Sequence, residues 1–194
     1  MKERPRKQYP SLGCCGLDCG LCPRYYTEGS SRCPGCAGVD FYEKHPSCGY
    51  ITCCVKKNGL EVCAECKQFP CEKFEPWLDK CTEHDSFITH GNVKSTMEYI
   101  QKNGVKKYIK NQEKRIKFLQ TVLKKYDDGR SKNFLCIASN LLAIKDLESS
   151  LKKAEQQVKS EKIKTGDKKG KAKILKAILN DIADKDGIEL KLKK

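Results

Sequence analysis

Apolar positions in the second half of the chain fall at helical spacing. In "VKKYIKNQEKRIKFLQTVLKKYDDG", Ile109, Ile116, Leu119, Leu123 and Tyr126 line one helix face, and Gly129 ends the pattern. The stretch "GNVKSTMEYIQKNG" predicts a preceding helix with Asn92 as its N-cap and Gly104 as its stop. "SKNFLCIASNLLAIKDLESSLKKAEQQVKSEK" predicts one further helix, or two joined near Ala143. "TGDKKGKAK", from Thr165, reads as a polar flexible link. A last helix then carries Leu175, Ile178, Leu179 and Ile182 on one face. The tail "IELKLKK" alternates apolar and charged residues, which predicts a short edge strand.

The first half lacks this periodicity. Glycines such as Gly13, Gly16, Gly20 and Gly35, with Pro23, Pro34, Pro46, Pro70 and Pro76, break it into turns and brief helices. The expected fold is mainly α. An irregular cysteine-rich, metal-binding N-terminal domain over residues 1–84 is followed by an antiparallel helical domain over residues 85–194.

Composition sharpens that division. Of fourteen cysteines, thirteen lie between Cys14 and Cys81, and only Cys136 lies beyond. A short region this poor in aliphatic residues needs covalent or metal staples to fold stably. The net charge of +14 belongs almost wholly to the second half, which holds twenty-seven Lys/Arg against fourteen Asp/Glu. No apolar run follows the basic N-terminus, and "FLCIASNLLAI" is too short and too polar for a membrane span. A cytoplasmic, reducing location is the expectation, with thiolates on metal rather than in disulfides.

The cysteine spacings carry the chemistry. Cys19 and Cys22, Cys33 and Cys36, and Cys63 and Cys66 are three CxxC pairs. Two thiolates at that spacing can straddle one ion, because a tight turn aims both sulfurs inward. Cys15 stands before the first pair, while Cys48, Cys53 and Cys71 extend the others. These ten are the candidate metal ligands, enough for two four-sulfur sites. One partition gives Cys19, Cys22, Cys33 and Cys36 to the first ion and Cys53, Cys63, Cys66 and Cys71 to the second; the spacings leave interleaved sites open. Zn²⁺ is the preferred occupant, and [4Fe–4S] clusters, which also take four thiolates, are the alternative. The Cys15, Cys19, Cys22 spacing matches that of radical S-adenosylmethionine enzymes. The chain has no Gly-Gly pair for the cofactor and no alternating strand pattern for a barrel, which argues against that reading.

"CCGLDCGLCPRYY", "RCPGC" and "CGYITCCVKKNGLEVCAECKQFPCEKF" together resemble a bacterial and archaeal family of cysteine-rich proteins, domain of unknown function number 3795. The resemblance runs from Gly13 to Phe74. It rests on Cys15, Cys19, Cys22 and Pro23, then Cys33 and Cys36, then Cys63, Cys66, Pro70 and Cys71. It implies zinc binding and no particular reaction. Cys14 and Cys54 are extra thiols beside matched ones, and either member of each doublet could be the ligand.

Plainer roles are assigned to the remaining residues. Cys136 reads as core, and Cys81 as a partly buried thiol. His45, three residues before Cys48, is a lesser alternative to a sulfur ligand, while His84 and His90 read as polar surface groups. Tyr25, Phe41, Phe69, Phe74 and Trp77 are among the aromatics expected in the small core. No catalytic triad is recognisable, so the sequence leans away from an enzyme. The expected function is a metal-binding interaction module with a protein partner. An iron–sulfur electron-transfer protein partnering a larger enzyme is the alternative. A nucleic-acid-binding zinc protein is the lower one, because the lysines are dispersed among acidic residues as on solvated helix faces.

Overall fold

The computed structural model describes residues 6–45, 48–81 and 83–194. The sequence features at residues 1–5, and the turn expected at Pro46, lie outside them. The protein is mainly α, 59% helical, with no strand among the described residues. Among the described residues eight α-helices follow in order: α1 Phe41–Lys44, α2 Gly49–Ile51, α3 Glu75–Lys80, α4 Val93–Asn103, α5 Val105–Tyr126, α6 Lys132–Leu141, α7 Ile144–Ser160 and α8 Lys168–Lys185. α2 runs directly into a π-helical segment, Thr52–Lys57, and short 3₁₀ turns occupy Cys19–Leu21, Pro23–Tyr26, Gly29–Ser31 and Cys63–Glu65.

Two compact units divide the chain within α5. The first comprises the residues up to Gln112 with Leu192–Lys194, and the second is Glu113–Lys191. The first unit therefore includes α4 and the beginning of α5, so its limit lies later than the change in composition.

The first unit buries two apolar clusters. Leu12, Val62, Phe74, Val93, Met97, Ile100, Val105 and Ile109 form one, with Tyr9, Phe69 and Trp77 packed against it. Cys14, Ala37, Phe41, Ile51, Cys54 and Val55 form the other. The cysteine region thus gains an aliphatic floor from α4 and α5 that it could not supply itself. Gly16 is needed at this contact. Its φ is +87°, and a Cβ there would meet Met97 of α4 at 2.9 Å.

In the second unit, Leu119, Val122, Leu135, Leu142, Leu147, Leu175 and Leu179 are fully or almost fully buried, and α7 packs on α8. Cys136 is core here, as its apolar neighbours led one to expect. The break near Ala143 is real: its extended backbone, ψ 143°, separates α6 from α7. Arg115 of α5 satisfies the freed end of α6 by donating from Nη1 to the carbonyls of Ser139 at 2.8 Å and Leu142 at 2.6 Å.

Three local expectations are corrected. α8 begins at Lys168, inside the supposed flexible link, because the Asp167 carboxylate accepts the Gly170 N–H at 2.9 Å and caps the helix. The tail is not a strand. No strand among the described residues lies beside it to complete a ladder, and Lys193 is tied instead to Asp85, backbone N–H to Oδ2 at 2.8 Å and carbonyl to the Asp85 N–H at 3.0 Å. His90 is buried rather than on the surface. Its ring meets the Cys81 carbonyl at 3.1 Å and the Ser86 hydroxyl at 3.0 Å, and lies 5.0 Å from the Trp77 ring.

Candidate metal centre

The segment from Gly13 to Cys22 is a succession of tight turns. The Gly13 N–H donates to the Leu17 carbonyl at 2.7 Å, the Gly16 N–H to Gly13 at 3.0 Å and the Cys22 N–H to Cys19 at 3.1 Å. Backbone bonds then draw distant cysteines onto it. Cys36 donates to the Pro10 carbonyl at 2.8 Å, Cys33 to Arg24 at 2.9 Å and Cys63 to Cys14 at 3.0 Å. Gly35 permits the first of these. Its φ is +84°, and a Cβ there would meet the Pro10 backbone.

Asp18, in the middle of the Cys15–Cys19 loop, fixes that loop to the helices. It is 5% exposed and accepts from the Tyr108 hydroxyl at 2.7 Å and from Gln112 Nε2 at 2.5 Å. Gln112 also joins Ser11 twice, accepting from Oγ at 2.8 Å and donating to the carbonyl at 3.0 Å. The Trp77 indole donates to the Cys15 carbonyl at 3.1 Å. Helix residues thus hold the loop that leads into the first CxxC pair.

All fourteen cysteines are free thiols. Several sulfurs have close polar neighbours outside their own CxxC pair. Cys36 Sγ faces Cys14 Sγ at 3.6 Å and accepts the Cys14 N–H at 3.4 Å. Cys33 Sγ faces His45 Nε2 at 3.3 Å. Buried Cys54 lies against Cys14 and Cys63, and its Sγ donates to the Leu60 carbonyl at 3.4 Å. Cys53 is half-buried, with the Asn58 amide 3.8 Å from its sulfur. Burial pushes the Tyr50 hydroxyl upward in pKa, and the charges of Cys15, Cys63, Cys48 and Cys71 add to it. Cys66 is half-buried at the end of its own turn. Among the described residues, no three His, Cys, Asp or Glu side chains stand in reach of a single metal ion.

Burial, contacts between thiols and mutual repulsion raise the pKa values of Cys14, Cys15, Cys19, Cys22, Cys36 and Cys54. Cys15 is pushed up to about 12, chiefly by burial. Cys19 moves well up for the same reason, with Cys36 and Cys15 adding to it. Contact with Cys14 and burial raise Cys36. For Cys14, the bond with Cys36 works downward, but Cys54 and burial outweigh it. Cys54 behaves alike, its contact with Cys14 outweighed by Cys63 and burial. Cys14 and Cys54 are therefore the reverse of activated nucleophiles. Any metal entering here must displace protons.

One cation lies inside this group, and the basic N-terminal stretch gave no sign of it. Lys7 is 6% exposed, and its ammonium donates to the Leu12 carbonyl. Burial works against its charge, yet ionised sulfur at Cys36, Cys14 and Cys19, with Glu61, shifts its pKa upward overall. Sequence reasoning also left Cys14, Cys54 and His45 outside the ligand set, though each has a thiol or ring as a neighbour in the structure.

The donor chemistry fits a metal. Two sulfurs at ~2.3 Å from one tetrahedral zinc stand about 3.8 Å apart, close to the Cys14–Cys36 separation. Residues 11–76 match the model of a family described as a protein of unknown function (DUF3795), which the cysteine spacings had suggested. No curated protein and no solved structure matches the chain. No helix among the described residues is long and apolar enough to cross a membrane.

Proposed function

We propose that the DUF3795 region, residues 11–76, is a metal-binding module whose resident ion is Zn²⁺ and whose role is to hold a surface for a protein partner in a reducing, cytoplasmic setting. The carrying observation is the Cys14–Cys36 pair. Buried Cys14 and half-buried Cys36 stand 3.6 Å apart, sulfur to sulfur, without a disulfide, close to the separation of two ligands on one zinc. Zinc bound by thiolates would supply the folding free energy that this turn-rich region lacks. The reading is a closed structural site.

The chain's own residues prepare that site. The Asp18 contacts orient Cys15 and Cys19, Gly35 lets Cys36 reach Pro10, and Lys7 brings positive charge to where thiolates would form. Anaerobic purification with elemental analysis is the test. One to two zinc per chain, without iron or sulfide, supports the proposal; stoichiometric iron with acid-labile sulfide sinks it.

One observation favours a second reading, a [4Fe–4S] protein in electron transfer. The charges of Cys36, Cys15 and Cys33 all act on Cys19, yet among the described residues no three donors converge on one ion. In a cluster each cysteine takes a different iron, so its ligands need not meet at one point. The same elemental analysis separates the two.

A further inference from the structure

We propose that His45 is a nitrogen donor to the metal ion that Cys33 binds, making this corner of the module a mixed Cys/His site for a divalent ion of the zinc type. This rests on the metal-binding reading above and adds a ligand outside the ten-cysteine set. The first observation is distance. A sulfur at ~2.3 Å and a nitrogen at ~2.0–2.1 Å from one tetrahedral ion lie about 3.5 Å apart. Cys33 Sγ and His45 Nε2 are separated by 3.3 Å, so the two atoms already have the spacing of neighbouring ligands.

The second observation is that both partners are held. The His45 ring is stacked on buried Phe41, with centroids 4.5 Å apart and planes inclined by 18°. The His45 N–H donates to the Phe41 carbonyl at 2.9 Å, closing the C-terminal end of α1. Ring plane and backbone are thus fixed, and Nε2 is the atom turned towards the sulfur. On the other side, the Cys33 N–H is anchored to the Arg24 carbonyl in the turn Pro23–Tyr26. Cys22 begins that turn, and its charge and that of Cys33 act on each other. Cys22 is the further donor that an entering ion would draw in.

Cys33 and its CxxC partner have different polar contacts. Cys36 faces Cys14, whereas Cys33 faces an imidazole. On this proposal the two halves of the pair serve different centres, and among the described residues no three candidate ligands stand together around one ion.

The test uses the full chain, stripped of metal anaerobically, with Zn²⁺ and Co²⁺ as probes. On Zn²⁺ addition, the His45 Nε2 resonance should move to a metal-bound position in ¹⁵N NMR and cease to titrate between pH 5 and 8. Cys33→Ser should abolish that movement. His45→Gln should weaken Co²⁺ uptake at this centre by at least about tenfold, as expected for losing a group at least as important as an outer-shell partner. It should also alter the d–d bands. Zinc uptake with a freely titrating His45 resonance overturns the proposal while leaving the metal-binding module intact. If neither ion is taken up, the module reading fails and this one with it. Iodoacetamide reacting with Cys33 equally fast with and without Zn²⁺, but more slowly in His45→Gln, would make the pair a nucleophilic dyad and overturn the assignment. Should His45→Gln fail to fold, the resonance in the unmodified chain decides alone.

Discussion

Tyr108→Phe tests whether the cysteine loop is fixed to the helices through Asp18. The substitution removes one hydroxyl and almost no volume. That hydroxyl lies 2.7 Å from Asp18 Oδ1 and 2.9 Å from Oδ2, but it has one proton, so the two distances describe a single shared donation. A hydrogen bond to a charged group contributes about 1.5–3 kcal/mol. Asp18 would stay buried with one donor fewer, and Thr96 Oγ1, 3.1 Å from the phenol, would lose a neighbour. The expected loss is therefore about 2 kcal/mol for the first unit. The single tryptophan, Trp77, reports on it directly, since its indole is bonded to the Cys15 carbonyl in the same loop. Urea unfolding of the metal-loaded chain, followed by Trp77 fluorescence, gives the magnitude. In an Asp18→Ala background the same substitution should cost less than about 0.5 kcal/mol, because the acceptor is gone. A loss of ~2 kcal/mol that persists undiminished in that background, or none in either, refutes the reasoning.

Three further outcomes are expected. Chelation should abolish hydrogen-exchange protection across residues 13–74 and leave the second unit, Glu113–Lys191, protected; unchanged protection in the cysteine region would show that metal does not hold it. Burial keeps the His90 pKa below its ordinary value of about 6.5 despite nearby Asp85, so the folded state prefers the neutral ring. Its contribution is complete above that value and is lost as pH falls through it towards the folded value; His90→Gln should flatten the fall in stability below about pH 6.5, and equal slopes would reject this. If the basic half binds RNA or DNA at all, binding should be weak, steeply salt-dependent and non-specific, and reversing Lys106, Lys107 and Lys110 should reduce the salt slope; sub-micromolar, sequence-selective binding at physiological salt would overturn the solvated-face reading.

The helices were legible because their apolar faces repeat. Gly104, with φ 84°, and Gly129, with φ 87°, stand just beyond the ends of α4 and α5 as the sequence suggested. α8 was drawn too short because Gly170 reads as a link residue, whereas the local bond from Asp167 decides the matter. The tail was misread because alternation shows only that a strand could face two ways, not that a partner strand exists. Spacing revealed the cysteine turns, but it did not reveal what each sulfur faces. That is decided by backbone bonds across long separations, such as Cys63 to Cys14, and by doublets in which one residue's step changes which thiol points inward. Cys54 is buried against Cys14 while Cys53 meets Asn58, a difference that composition cannot express. His90 had no signal beyond its polarity, yet three hydrogen bonds make its burial tolerable.

Lys7 shows how the charges inside the first unit depend on one another. A buried ammonium is costly unless opposed by negative charge. Glu61 acts on it, but its two oxygens also accept the Gln8 and Tyr9 N–H groups at 2.7 and 3.0 Å. The neighbouring sulfurs are neutral when protonated and then give the lysine nothing beyond a dipole. On the metal-binding reading the balance reverses. Four thiolates on one divalent ion carry a net charge of about −2, and the ammonium beside them offsets part of it. The lysine thereby makes thiolates easier to form, and the thiolates make the lysine easier to bury. A chain that placed Lys7 here solely to fill space would do better with methionine, which has similar length and no charge to desolvate. The buried lysine is thus intelligible as the counterpart of ionised sulfur, and it ties the N-terminal segment to the cysteine turns through the same charges that would hold the metal.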